Sequence, residues 1–106
     1  MIEVRQESTA AAVIDCAGAD GAEGVARCVD LAFRLGHTKV VVDLGGRDGA
    51  DAELLGVLHR SARRMREAGG RLAVVSASSR YRRLLHLTLL SHAFGVYATR
   101  EEALAG

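Results

Sequence analysis

Residues 39–44 constrain the fold of this chain more than any other segment. They contain three consecutive β-branched side chains, Val40, Val41 and Val42. A strand with one exposed face alternates apolar and polar residues, whereas an unbroken β-branched run is typical of a strand that is covered on both faces. The segment therefore predicts the central strand of an α/β sheet.

Strands and helices alternate along the chain around this segment. Two further apolar strands are predicted over residues 71–76 and 95–97. Helices are predicted over residues 21–35, 52–68 and 79–92, and a short terminal helix ends near Leu104. This order is typical of a mostly parallel, right-handed α/β sheet.

The first sixteen residues predict an antiparallel hairpin. Apolar residues alternate with charged ones over residues 2–5, and an apolar run follows over residues 11–14. With 106 residues, of which 49% are apolar, the chain is long enough to bury one core. We expect a single domain over residues 1–106, with a sheet of four to five strands and about four helices.

Three acidic or hydroxyl side chains are predicted to cap helices. Asp20, three residues before Glu23, fits a capping box for the first helix, and Thr99 with Glu102 fits another for the last. Asp51 precedes the second helix, where its carboxylate can accept from free backbone N–H groups.

The second predicted helix has an apolar side and a charged side. At about 100° per residue, the apolar side carries Leu54, Leu58, Ser61, Ala62, Met65 and Ala68. The opposite side carries Arg60, Arg63, Arg64, Arg66 and Glu67. We expect the apolar side to face the sheet and the charged side to face solvent.

Composition argues against nucleic acid and membrane partners. The chain has 14 basic and 13 acidic residues, for a formal net charge of +1, and an aromatic content of 4% without Trp. Such a chain offers little long-range attraction for a polyanion and few rings for base stacking. The apolar runs are shorter than 18 residues, so we expect no direct membrane insertion.

The amino terminus and the cysteines predict a cytoplasmic protein. Residues 1–5 lack the basic and apolar regions of a secretory signal. Cys16 and Cys28 are twelve residues apart, which fits neither a redox pair nor a zinc site. We expect both to be buried thiols in a reducing compartment.

The glycine-rich loop over residues 45–51 is the best candidate site, because it joins the end of a strand to the start of a helix. It lacks the Lys and Ser or Thr of a phosphate-binding loop. The spacing of Asp43, Asp48 and Asp51 does not match a calcium loop. We expect no metal, no cofactor and no enzymatic activity.

From residue 40 onward the chain resembles the STAS domain, the family of sulphate-transporter tails and bacterial anti-sigma factor antagonists. The matching stretches are residues 40–44, Asp51 with residues 55–58, residues 69–75, residues 83–87, and Tyr97 with residues 101–104. Gly18 and Asp20 are similar to the turn that precedes the family's first helix, with a spacing one residue shorter.

The resemblance implies a partner and a site. In antagonists of this family, an anti-sigma factor that is also a serine kinase phosphorylates a serine directly after the aspartate at the start of the second helix. This chain has Ala52 there, followed by Glu53, so the phosphoryl acceptor is missing. The expected partner-binding residues are Asp20, Asp48, Asp51, Ala52, Glu53 and Ser78.

Two classes of function therefore stay open. The first is a cytoplasmic protein-binding module, either an antagonist that binds an anti-sigma factor without phospho-control, or a STAS subunit of a lipid-transport ATPase complex or a stress-signalling assembly. The second is a small nucleotide-binding domain that uses the loop over residues 45–51. The second is disfavoured because that loop holds no lysine and no nucleophile paired with a base.

Overall fold

A computed structural model describes residues 3–6, 11–16, 21–46, 52–87 and 94–106. In these ranges the chain forms five strands and four helices. In chain order they are β1 Glu3–Gln6, β2 Ala11–Asp15, α1 Ala22–Arg34, β3 Lys39–Asp43, α2 Ala52–Glu67, β4 Arg71–Val75, α3 Ser79–Leu87, β5 Gly95–Tyr97 and α4 Arg100–Ala105.

The strands form one sheet in the order β1-β2-β3-β4-β5. Strands β2 to β5 are parallel, and Val41 of the central strand β3 lies opposite Val13 and Ala73. Strand β1 pairs with β2 in the antiparallel direction, with Val4 opposite Ile14. The residues that connect these two strands, 7–10, lie outside the described ranges. The predicted α/β fold with a mostly parallel sheet is confirmed.

Helices cover both faces of the sheet. Val40 and Val42 lie in a core cluster with residues of α1, α2 and α3, among them Tyr81. Val41 points to the opposite face and packs with Ala103 of α4. All three valines are fully buried. The continuous β-branched run is thus explained by burial on both faces, as predicted.

The two ends of α1 differ in how well the sequence predicted them. Gly21 is the N-cap and makes no side-chain capping bond, so the capping box predicted from Asp20 is wrong by one residue. Asp20 itself lies outside the described ranges. At the other end, Gly36 has a φ of 100°, the left-handed conformation that glycine adopts without strain.

Helix α2 buries most of its predicted apolar side. Leu54, Leu58, Ala62 and Met65 are buried, and the charged side from Arg60 to Glu67 is exposed as predicted. Two positions differ: Ser61 is half-buried and Ala68 is exposed. Ala68 follows the last helical residue, so the helical periodicity no longer sets its direction.

The short helix α4 is fixed at both ends. At its start, the Thr99 hydroxyl accepts a hydrogen bond from the backbone N–H of Glu102 at 3.2 Å, so Thr99 is the predicted N-cap. The Glu102 carboxylate accepts from the Thr99 hydroxyl at 3.2 Å, in place of the backbone N–H that a full capping box would use. At its end, Lys39 Nζ donates to the carbonyls of Leu104 and Gly106 at 2.9 and 2.6 Å. A cation at the negative end of a helix dipole stabilises the helix.

Three remaining predictions concern α3, the cysteines and membrane segments. Helix α3 is described to Leu87, so its predicted extension to residue 92 lies outside the described ranges. Cys16 is buried, but Cys28 is half-buried on α1, so the prediction for Cys28 is wrong. In the part of the chain that the structure describes, every helix is too short or too polar to span a membrane.

Candidate functional site

Backbone hydrogen bonds hold together the carboxyl edge of the parallel strands. The ladder runs one residue past the strands: the backbone N–H groups of Cys16, Leu44 and Ser76 donate to the carbonyls of Asp43, Val75 and Tyr97 at 2.7, 2.8 and 3.0 Å. Loops that leave this edge therefore start from fixed positions. This is the edge at which open α/β sheets place ligands and partners.

Helix α2 starts at this edge with two exposed residues. Ala52 and Glu53 follow the loop after β3, and both side chains are exposed. Asp48 and Asp51 of that loop, and Asp20 before α1, lie outside the described ranges. Ala52 and Glu53 are thus accessible to solvent at this edge.

Ser78 lies at the same edge and caps the neighbouring helix. Its hydroxyl accepts a hydrogen bond from the backbone N–H of Tyr81 at 3.1 Å, the bond of an N-cap to the third helical residue. The buried Ser76 hydroxyl accepts from the Ser78 N–H at 3.2 Å and so fixes the turn before α3. Ser78 is therefore a structural cap, a role that the sequence analysis did not assign to it.

The loop after β3 begins with a glycine that its conformation requires. Gly45 has a φ of 59°, and its N–H donates to the Asp43 carboxylate at 2.8 Å. Its carbonyl accepts from the backbone N–H of Ala77 at 2.8 Å, which ties the β3 loop to the β4 loop. The first glycine of the predicted loop thus has a structural role, as tight turning demands.

Arg100 joins the ends of β2 and β3 in a charge cluster that the sequence analysis missed. Its Nε donates to Asp43 Oδ2 at 2.5 Å, and its Nη2 lies 3.0 Å from Asp15 Oδ2. The hydrogen bond to Asp43 is the main cause that raises the pKa of Arg100, with the charges of Asp43 and Asp15 adding to it. One guanidinium therefore binds two carboxylates and links the start of α4 to the carboxyl ends of β2 and β3.

Asp43 is thereby engaged by Gly45 and Arg100 together. Among the described residues, no group of three or more His, Cys, Asp or Glu side chains is placed to hold a metal ion. In this arrangement the Asp43 carboxylate accepts hydrogen bonds from the start of the β3 loop and from the first residue of α4, and so connects the two.

We expect Arg100→Met to lower the free energy of unfolding by about 1–3 kcal/mol, because it leaves the largely buried Asp43 carboxylate without its charged partner. The ion pair with Asp15 contributes less to this loss of stability, because the Asp15 side chain is 41% exposed and solvent screens its charge. Urea denaturation measures the difference. Arg100→Lys should recover part of the loss, and full stability of Arg100→Met would show that the cluster contributes nothing.

A family model and several solved structures match the chain. The model of the STAS domain matches residues 4–103. An anti-sigma factor antagonist from Mycobacterium paratuberculosis is 21% identical with a TM-score of 0.80, over 99% of this chain and 91% of that one. No protein of curated function matches the sequence significantly.

Two further matches are structures of one protein in two states. The unphosphorylated anti-sigma factor antagonist SpoIIAA is 17% identical with a TM-score of 0.75, over 98% of this chain and 93% of that one. The phosphorylated SpoIIAA of Bacillus, a cell fate determinant, is 18% identical with a TM-score of 0.73, over 99% and 97%. At these identities the likeness shows a shared fold.

Proposed function

The chain belongs to the STAS domain family, and from this premise we propose that it is a non-catalytic, cytoplasmic protein-binding module that acts in the manner of an anti-sigma factor antagonist. Its partner is an anti-sigma factor of the serine-kinase type. The observation that carries the proposal is the exposed start of α2 at the carboxyl edge. By its resemblance to the family, we assign Ala52 to the position of the phosphorylated serine.

The proposed binding surface is acidic. It comprises Asp20, Asp48, Asp51, Ala52, Glu53 and Ser78, which include four carboxylates and no basic side chain. Such a surface favours a partner with a basic face, because complementary charges raise the rate of encounter and exclude like-charged partners. We therefore expect association to slow as salt is added.

The substitution at position 52 removes the phosphoryl switch in this proposal. A phosphoserine would add about −1.5 to −2 charges at the start of α2, next to carboxylates that already repel it. Ala52 has no hydroxyl, so the surface stays in one charge state. Glu53 supplies one permanent negative charge at the next position, which is too little charge and in a different direction to mimic a phosphate fully.

Incubation with a serine-kinase anti-sigma factor and ATP tests the loss of the switch. We expect stable binding and no phosphate between Gly45 and Leu58, because the nearest serine of α2 is Ser61, about 13 Å along the helix from Ala52. Peptide mass mapping locates any modification.

Ala52→Ser is the matched variant for that experiment. It restores a hydroxyl at an exposed position and leaves the core unchanged. We expect it to accept phosphate from the same kinase and to lose affinity afterwards. The absence of any complex between the parent chain and such kinases, or a failure of Ala52→Ser to accept phosphate from a kinase that binds it, would overturn the proposal.

A further inference from the structure

Arg100 contacts the ends of two neighbouring strands that lead into the proposed partner surface. Asp20 of that surface follows β2, and the residues around Ala52 follow β3. These strands end at Asp15 and Asp43, and Arg100 forms ion pairs with both, at 3.0 and 2.5 Å. The first residue of α4 is therefore bonded to the points from which two loops of the surface leave the sheet.

A chain of hydrogen bonds extends this contact to the loop after β4. Arg100 binds one oxygen of the Asp43 carboxylate, Oδ2, and the other oxygen, Oδ1, accepts from the Gly45 N–H at 2.8 Å. The Gly45 carbonyl in turn accepts from the N–H of Ala77 at 2.8 Å. Ala77 directly precedes Ser78, the residue of the proposed surface on this third loop.

The orientation of the Asp43 carboxylate depends on Arg100. The Asp43 side chain is 15% exposed, and a carboxylate with so little access to water needs a charged or hydrogen-bonding partner. Because the carboxylate is planar, the bond that holds Oδ2 also directs Oδ1 towards Gly45. Asp15 lies opposite Asp43 in the sheet, so without the guanidinium the two carboxylates would repel each other.

We propose that Arg100 is a positioning residue for partner binding, which holds the bases of the loops after β2, β3 and β4 in the arrangement that the partner contacts. This role rests on the proposed function, because it concerns the same surface. Arg100 acts through Asp43 and Asp15 and not by touching the partner. Loops that are held in place before the partner arrives lose less conformational entropy on binding, which raises the affinity.

Lys39 provides a matched control at the other end of α4. Its Nζ donates to the carbonyls of Leu104 and Gly106, at the carboxyl end of the helix. Lys39 begins β3 and Asp43 ends it, so the two lie about 13 Å apart along the strand. Lys39→Met and Arg100→Met therefore each remove one cation that holds α4, but only the second removes a contact to the loops.

Amide hydrogen exchange, measured by NMR, tests the positioning role without a partner. The Leu44 N–H donates to a backbone carbonyl of β4, so its exchange is the internal reference in each variant. In Arg100→Met we expect the amides of Gly45 and Ala77 to exchange about tenfold faster relative to Leu44, because their loop opens locally. Lys39→Met should keep the ratio of the parent chain. An unchanged ratio in Arg100→Met would overturn the positioning role.

Calorimetric titration with a serine-kinase anti-sigma factor measures the effect on binding. We expect Arg100→Met to lower the affinity about tenfold, since the partner must then order the loops itself. Arg100→Lys should recover part of the affinity, because it restores the cation without the planar fork. Lys39→Met should bind like the parent chain.

Two outcomes of the titration contradict the role of Arg100. Parent-like binding by Arg100→Met would show that the loops need no support from α4. An equal loss in Arg100→Met and Lys39→Met would trace the effect to the stability of α4 and not to the loops. If the parent chain itself forms no complex, the proposed function fails, and the exchange ratio alone decides whether Arg100 holds the loops.

Discussion

Leu58→Ala should lower the free energy of unfolding by about 2–5 kcal/mol. Leu58 is fully buried in the middle of α2 and belongs to the core cluster between the helices and the sheet. The shorter side chain loses transfer free energy and leaves a cavity that the neighbouring residues fill only in part. Urea denaturation followed by circular dichroism should show a lower midpoint with an unchanged slope.

Arg63→Ala is the matched control on the same helix. Its side chain is 74% exposed, and its Nε forms an ion pair with Glu67 Oε1 on the next turn at 3.3 Å. Such exposed pairs contribute about 0.3–0.5 kcal/mol, so the midpoint should hardly move. Equal losses in the two variants would contradict the assignment of the buried and solvent faces of α2.

The alternation of strands and helices was predictable because buried positions carry apolar residues, and their spacing along the chain differs between strands and helices. Val40, Val41 and Val42 are apolar on both faces of β3, and the structure covers both faces. The bounds of α2 and β5 followed from the same patterns. The start of α1 was less predictable, because Asp20 and Gly21 are both favourable N-cap residues and one residue of shift changes which of them is used.

The candidate site was predictable in position but not in its supporting contacts. The topology places Ala52 and Ser78 after neighbouring parallel strands, so both were expected at the carboxyl edge. The Arg100 cluster was missed because Arg100 lies 57 residues from Asp43 and 85 residues from Asp15 in the chain. One signal was available: Asp15 and Asp43 end adjacent strands in register, and two neighbouring carboxylates favour a shared cation.

The affinity of Ala52→Glu for the anti-sigma factor partner tests the central claim most directly. The substitution adds a charge where a small apolar side chain is proposed to meet the partner, and that charge must be desolvated on binding. We expect calorimetry to show an affinity at least tenfold lower, the size of effect found at the centre of an interface. Because Ala52 is exposed, the variant should fold like the parent, which circular dichroism checks.

Arg63→Ala, on the solvent side of α2, is the comparison in the same titration. The proposed site predicts that it binds the partner like the parent chain while Ala52→Glu binds at least tenfold more weakly. If instead Ala52→Glu binds like the parent and Arg63→Ala abolishes binding, the partner contacts the arginine side of α2, and the assignment of the binding surface to the carboxyl edge is wrong.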